Sequence, residues 1–526
     1  MKISSLLTRH NASALSAWLT LALLIFPVAT QGQQAPTSLG NRMSVKGNNS
    51  APQLRQGTKT PTVKKAAPGA PQQESCLLAS SHRSGSADVV EVSLEASGEV
   101  VQTTSTGKEE RSLMEVVAGF KYEERYDSYS TNGTIRSIRR YEQAGMKRKL
   151  GANVVRPLLD SSRKFIISEF DGKSTRVFSA GGPMKDEQYA LINELPFNTT
   201  LLDRLLPNRE VKLGEDWQLP KEVVVALLGV DAIENNTIHL TLTSIADNFA
   251  EVELYQIGSK NAKNEEAPST LVCASEGASI GLDLEGKFQF DIKTRRITWF
   301  GLRIDERRTE SVATPGLEWS ATLKINIAPL EKPEKLADDV VASLKTEPTP
   351  ELLSLYYNAQ KGPWRFQHSR KWKLIEDGDK ITSLCYLQGG EAIAQCNLLY
   401  NGKIDLSTKP SLDGYKSEIK KSLGDRFVEF KQEAAYDGPG DVSIYYVVAD
   451  GYYDELPFRW IYYLVTDPDG NQATIMFELR AEMLDSYDDS GNEIVETFRI
   501  IPRSSAGLRE SLQSAEGSKD ATDAKR

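Results

Sequence analysis

Hydrophobic and polar positions along this chain fall into stretches of different period. From about residue 76 to 330 the dominant period is two. Val89-Val90-Glu91-Val92-Ser93-Leu94, Phe165-Ile166-Ile167, His239-Leu240-Thr241-Leu242 and Ala250-Glu251-Val252-Glu253-Leu254 alternate as half-buried strands do. Phe288-Gln289-Phe290-Asp291 and Ile297-Thr298-Trp299-Phe300 flank the polar Lys293-Thr294-Arg295-Arg296, which predicts a hairpin. Helical spacing is confined to 186–206, interrupted by Pro196, and to 220–229, with Pro220 at its start and Gly229 at its stop. These periods predict a large antiparallel β-rich domain with helices inserted at one edge.

Between 331 and 358 the spacing changes. Leu336, Val340, Val341 and Leu344 recur at helical intervals, and Thr349 followed by Pro350 is a helix start signal, so a helical linker is expected. From 359 to 502 strands and helix alternate. Leu412, Tyr415, Ile419 and Leu423 form one helical face, capped by Ser411 and stopped by Gly424. Strands are expected at 427–432, 443–448, 458–466 and 473–481, the last two joined by Asp467-Pro468-Asp469-Gly470. Trp460 to Val465 is apolar on both faces, as a central strand covered on both sides must be. Residues 493–500 supply a closing helix or strand. The fold class is α+β: a large antiparallel β-rich domain, then an α/β sandwich on a mainly antiparallel sheet.

The two ends read differently. Lys2 and Arg9 precede an apolar run at 14–26, then Pro27 and the small residues Ala29, Thr30 and Gly32. This is the layout of a secretory signal peptide, 1–32, cleaved before Gln33; the run is too short for the ~20 residues a membrane span needs. Residues 33–75 are rich in Gln, Pro, Ser, Gly and Asn, and 503–526 are equally polar, so a disordered tether and a disordered tail are expected. The mature chain is expected to be exported, periplasmic or extracellular, without a transmembrane span.

Export changes how the four cysteines read, because disulfides persist in oxidising compartments. A tight turn centred on Gly390-Glu391 would place Cys385 opposite Cys396, so a cross-strand bridge is expected there, with Cys76 and Cys273 as the remaining pair. The alternative is thiols packed as small hydrophobes.

Composition then narrows the chemistry. With 63 Lys+Arg against 72 Asp+Glu the formal net charge is −9, which argues against a nucleic-acid coat. After signal removal only His82, His239 and His368 remain, and no Gly-x-Ser-x-Gly elbow precedes a helix. His82 lies in a Ser-rich lead-in and is expected to be solvated; His239 sits in an alternating strand. No zinc spacing, HExxH or glycine-rich phosphate loop occurs, so no metal and no cofactor are expected. The acidic loop 485–493 could ligate Ca²⁺ but departs from the EF-hand register and reads better as a polar turn. Glu215-Asp216 sits at a turn before Trp217, and Asp454-Glu455 precedes Leu456-Pro457 in a stretch, 450–457, that reads as an exposed loop; a glycosidase would need two such carboxylates converging across a cleft.

Tyrosine doublets recur at 356-357, 445-446, 452-453 and 462-463. In a strand, neighbours point to opposite faces, so each doublet puts one ring in each layer of a two-sided sheet. The functional alternative is an aromatic groove at Tyr452, Tyr453 and Trp460 that receives an apolar ligand, a glycan or a partner's peptide.

The stretch from Trp364 to Ile500 resembles PsbP-like domains. The features that carry the resemblance are an early Trp (Trp364 or Trp372), the Ala394-Gln395-Cys396-Asn397 strand, the helix at Ser411, Trp460-Ile461-Tyr462-Tyr463, the Asp467 turn and the strand at 473–479. Upstream, Leu205-Leu206-Pro207, Gly214-Glu215-Asp216-Trp217, Phe290-Asp291 and Arg296-Ile297-Thr298 resemble uncharacterised exported proteins of planctomycete-type bacteria. The resemblance to PsbP-like domains implies binding or assembly work with no common catalytic apparatus. The expectation is an exported, non-enzymatic, envelope-associated binding or assembly protein whose partner is an envelope protein, a glycan or an apolar ligand. The alternatives are a hydrolase acting on glycans through paired carboxylates and a purely structural scaffold.

Overall fold

The computed structural model describes residues 74–501 apart from 104–106, 131–132, 194, 196, 257–269, 276–277, 312–313, 360–361, 379–380, 390 and 488. The expected signal peptide, nearly all of the tether (through residue 73) and the tail lie outside the described residues.

The first half opens with β1 (Ser75–Leu78) and three long strands, β2 (Ala87–Thr103), β3 (Glu109–Tyr129) and β4 (Ile135–Leu150). The short β5 (Asn153–Val155) precedes the hairpin of β6 (Phe165–Phe170) and β7 (Thr175–Ser179). Helix α1 (Asp186–Asn193) and a 3₁₀ turn over Thr199–Leu205 lead through β8 (Arg209–Lys212) and β9 (Asp216–Gln218) to α2 (Lys221–Leu228). Then come β10 (Ala232–Ile233), β11 (Ile238–Ala246), β12 (Phe249–Gln256) and β13 (Leu271–Ser275). The half closes with β14 (Ala278–Asp291), β15 (Arg296–Arg308) and β16 (Gly316–Leu330).

All but β1 and β8, which pair with each other, belong to one fourteen-stranded antiparallel sheet. Its main path runs β7-β6-β4-β3-β2-β16-β15-β14-β12-β11-β9, with the first and last long strands joined by the β2–β16 ladder. Strongly twisted open sheets rarely exceed about ten strands without curling, splitting or flattening. This one wraps. Alternation puts Val90, Val92, Leu94 and Ala96 of β2 inside and Glu91, Ser93 and Glu95 outside. The inner face meets Leu191, Ile192, Leu201, Leu202, Leu205, Val224 and Leu227 from the 186–228 segment in one continuous core. The helices expected at an edge are therefore the plug of the sheet. The reason is that an apolar face of this width needs an apolar filling.

The segment 331–358 lies on the opposite, outer face. Helices α3 (Asp338–Ala342) and α4 (Pro350–Leu353) bring Leu336 and Leu352 against Ile138, Ile167 and Phe178. The buried Glu123 accepts hydrogen bonds from the backbone N–H groups of Lys335 and Leu336. Arg125 donates to the Leu336 carbonyl at 2.7 Å. The expected linker is a docked strut.

The second half contains β17 (Leu355–Asn358), β18 (Trp364–His368), β19 (Trp372–Asp377), β20 (Ile381–Gln388) and β21 (Glu391–Lys403). After α5 (Leu412–Leu423) come β22 (Phe427–Gly438), β23 (Val442–Tyr453), β24 (Leu456–Thr466) and β25 (Asn471–Arg480). The described residues close with α6 (Leu484–Tyr487), α7 (Asn492–Thr497) and β26 (Arg499–Ile500), so the expected closing element is a helix followed by a short strand. Seven strands form an antiparallel sheet in the order β19-β20-β21-β25-β24-β23-β22. One face carries Trp372, Tyr386, Tyr463 and Phe477 together with Trp364, Phe366 and α6–α7; the other packs Tyr415, Ile419 and Leu423 of α5 on Val447, Trp460 and Tyr462. The central position of β24 and its burial on both faces agree with its pattern.

The cysteine expectation is corrected. All four are buried free thiols. The β20–β21 ladder pairs Gln388 with Glu391 at its tip and slips at Tyr386/Leu387, so Cys385 faces Gln395 and Cys396 faces Leu384. One residue of register sends the two thiols to opposite faces of the sheet. Cys76 and Cys273 pack in the core of the first half, on strands that pair with β8 and with β10 and β14 respectively. Burial pushes Cys76 up to about 11 and Cys385 up to about 12, so these thiols are poor nucleophiles at neutral pH. We expect the unfolded, unreduced protein to titrate with four thiols; a count of two or none would overturn the free-thiol arrangement.

Candidate functional site

A buried polar cluster lies where the 79–86 lead-in meets β2, β15 and the 3₁₀ turn. His82 is buried, not solvated. It donates from Nδ1 to Asp203 Oδ2 at 2.5 Å and from Nε2 to Asp88 Oδ2 at 2.7 Å. Arg296 Nη1 lies 3.2 Å from both oxygens of Asp88, and Tyr129 donates to Asp203 Oδ2 at 2.7 Å. Ser81 adds a backbone hydrogen bond to the Arg295 carbonyl at the β14–β15 turn. Two carboxylates, one imidazolium and one guanidinium thus close a neutral cluster that joins the lead-in, β2, the plug and β15. Burial works against charge on His82, but Asp203 and Asp88 outweigh it and push the imidazole up to about 9. Burial likewise raises the Asp203 carboxyl, and His82 overrides it, holding the group below the usual range. With both ring nitrogens committed to carboxylates, this imidazole has no lone pair to take a proton from a substrate. Its chemistry is that of a clamp. The sequence signals were single acids inside apolar runs, Asp88 before Val89-Val90 and Asp203 within Leu201-Leu202-Asp203-Arg204-Leu205.

A second buried network lies beside it. Arg139 donates to Glu124 Oε1 at 2.9 Å and to Thr199 Oγ1 at 3.0 Å, and also to Thr200; Ser137 donates to the same carboxylate oxygen. These bonds tie the start of the 3₁₀ turn to β3 and β4.

The expected groove residues separate. Trp460 is fully buried beneath α5, and Tyr453 and Phe458 continue an aromatic row with it, ring centres 5.7 and 5.8 Å apart. The Arg426 guanidinium lies over Tyr453 and Trp460 at 5.9 and 6.0 Å. Gly451 permits this crossing: a Cβ there would meet the Arg426 carbonyl at 1.9 Å. Tyr452 points to the other face and is 54% exposed. Asp454 and Glu455, expected in a loop, form a two-residue hairpin tip with φ of 48° and 68°, between the paired Tyr453 and Leu456. The doublets at 445-446 and 462-463 do put one ring in each layer, whereas Tyr452 has no layer over it. Leu456 and Val428 are 50% and 52% exposed, and Pro457, paired with Tyr452, is exposed too. Val428 sits at a bulge next to the Phe427–Gly451 pair. The tip therefore carries exposed apolar side chains on both faces, Tyr452 and Pro457 on one and Leu456 on the Tyr453 side.

Sequence reading missed Glu478, a lone acid in the apolar strand β25. Burial raises its carboxyl, and Asn397 donates to its Oε1 at 3.1 Å. Asn397 in turn accepts from Ser383 and Gln395. The strip runs along the α5 side of the sheet next to Trp460.

The other candidates do not converge. Glu215 accepts from Arg209 and from the Lys212 amide, while Asp216 turns to His239 at 3.2 Å. Asp485 lies in α6 and Glu493 in α7, and Asp488 is outside the described residues. Among the described residues no group of three or more His, Cys, Asp or Glu could hold a metal ion, and no helix is long and apolar enough to cross a membrane.

No protein-family model and no curated protein sequence matches the chain. Among solved structures, the solution structure of cyanobacterial PsbP (CyanoP) from Synechocystis sp. PCC 6803 is similar at 14% identity, covering 29% of this chain and 96% of that one, with a TM-score of 0.24. A lipovitellin structure is similar at 9% identity over 48% of this chain and 26% of its own length, with a TM-score of 0.26. The OccK7 (OpdD) structure from Pseudomonas aeruginosa is similar at 10% identity over 75% of this chain and 98% of that one, with a TM-score of 0.11. At these scores none of the three carries an argument about function, and no match supports the likeness of the upstream block to planctomycete-type exported proteins.

The His82 clamp has a definite pH signature. Because the folded imidazole titrates near 9 and an unfolded one near 6.5, its contribution is fully present below about pH 6.5 and disappears as pH rises through about 9. His82→Gln should lower the unfolding free energy at pH 6 by on the order of 3 kcal/mol. Urea denaturation should find that difference shrinking steadily toward pH 9.5; a pH-independent difference would contradict the charged clamp.

Proposed function

We propose that this is an exported, non-enzymatic binding or assembly protein of the cell envelope, with its contact surface at the β23–β24 hairpin tip. The observation that carries the reading is the exposure of Tyr452, Leu456 and Pro457 at one hairpin tip, with Val428 exposed on the neighbouring strand. Several large apolar side chains left in water at one hairpin tip favour a contact surface there. The base is built to hold them: the Tyr453–Phe458–Trp460 row and the bidentate Arg459–Asp450 pair at 2.7 and 2.9 Å fix the hairpin against the sheet. The edge strand β22 is an unsuitable docking template, since it carries two bulges and Glu429, Lys431, Glu433 and Asp437. A partner is thus expected to use side-chain contacts at the tip.

Export rests on the amino-terminal layout of Lys2, Arg9 and the apolar run at 14–26. The absence of catalysis is supported by the commitment of both His82 nitrogens and by the divergence of Glu215 and Asp216. A PsbP-like sandwich in the second half is supported by α5 on one face of the seven-stranded sheet and α6–α7 on the other.

The test is co-sedimentation of the full chain with native envelope from the source cells. Tyr452→Ser combined with Leu456→Ser should leave the thermal midpoint unchanged, since both side chains are exposed, and should weaken envelope association at least about tenfold, the scale of one to two hot-spot contacts. Undiminished association of the double variant would refute the tip as the contact surface.

A further inference from the structure

We infer that the two halves of the molecule are held together by a proton-dependent latch, in which His368 of β18 grips Asp186 of α1. The first half meets β17 and β18 of the second at the segment that leads into α1. Met184 forms a parallel bridge with Leu355, and the Tyr356 amide donates to the Met184 carbonyl at 2.7 Å. Leu355 is in turn the register partner of His368. His368 is 1% exposed; its Nε2 lies 3.1 Å from Asp186 Oδ2 and its Nδ1 2.9 Å from the Ser369 carbonyl. Both of these partners are acceptors, so only the imidazolium, with a proton on each nitrogen, satisfies them together.

The charged surroundings favour that form. Asp186 faces the ring from α1 and Glu493 from α7, and both favour its charged form. Arg370, two residues on, is occupied elsewhere: it donates to the Val177 carbonyl at 2.8 Å and stacks on Tyr189 of α1 at 4.3 Å. Burial opposes the charge, Asp186 outweighs it, and the group is raised above 6.5. The sign follows from linkage: the latch is complete below about pH 6.5 and is lost as pH rises through the folded-state value. Loss of the proton sets a ring lone pair against either a carbonyl or a carboxylate in a buried site, and the cross-half bonds of Met184 are next in line to open.

The reporter is hydrogen exchange in the peptide spanning 352–360, expressed as protection relative to the unfolded rate, followed from pH 6 to 9.5 on the full chain. Peptides from β2 and β16 serve as a folding control, and the 79–83 peptide reports the His82 cluster separately. The wild type should lose at least tenfold protection at 352–360 across this range while β2 and β16 stay protected. His368→Gln should show low protection at every pH, and Asp186→Asn should move the transition to lower pH. Wild-type protection that does not change with pH, or a His368→Gln profile that keeps the wild-type transition, would overturn the latch. If His368→Gln fails the β2 and β16 control, the Asp186→Asn shift decides: a displaced midpoint supports the latch and an unmoved one refutes it.

Discussion

The rest of this structure depends on covering one very large apolar sheet face. Strands β2, β3 and β4 are 17, 21 and 16 residues long, and each alternates inside and outside. Once such strands pair, their inner side chains either meet water or meet a filling, and burial at roughly 25 cal/mol per Å² makes the filling decisive. The 186–228 segment is that filling, and the sheet curls around it. The outer face is polar over most of its extent, with one patch closed by Leu336 and Leu352 from the strut.

Wrapping a sheet around a plug forces polar groups inward, and the structure handles each by pairing. Asp203 and Thr199 come from the 3₁₀ turn of the plug, where apolar residues surround them. Arg139, paired with Glu124, answers Thr199 and Thr200; His82 and Tyr129 answer Asp203, and Asp88 with Arg296 closes the other side of His82. Such clusters need not add net stability, since desolvation offsets much of the attraction, but breaking one partner leaves a buried charge exposed to its full cost. Their effect is to fix where the plug and the lead-in sit. The same logic at smaller scale operates at His368 and Asp186, where a charged pair registers one half on the other.

Much of the fold could be read in advance. The Phe288–Phe300 hairpin, the Gly229 stop, the Thr349 cap and the central position of Trp460 follow from local rules that tertiary context left intact. Where context decided, reading failed. Strands β3 and β4 carry Glu, Lys and Arg at outer positions and also Glu123, Glu124 and Arg139 at buried ones, so their alternation is masked. The cysteine register depended on a bulge at Tyr386/Leu387 that no residue type announces. His82 looked solvated because its neighbours are serines, and its partners lie 6 and 121 residues away. Of the aromatic groove, Tyr452 was correctly placed as exposed, while Trp460 belongs to the core.

The functional proposal joins these parts: a plugged sheet, a docked strut and a sandwich carry the β23–β24 hairpin tip proposed as the contact surface. Its foundation is that sheet and plug are a single cooperative unit. Native-state hydrogen exchange against denaturant tests this directly. Amides of residues 198–228 and those of β2 and β16 should converge on one opening free energy with one denaturant dependence. Plug amides that open independently, while β2 and β16 remain protected, would contradict it.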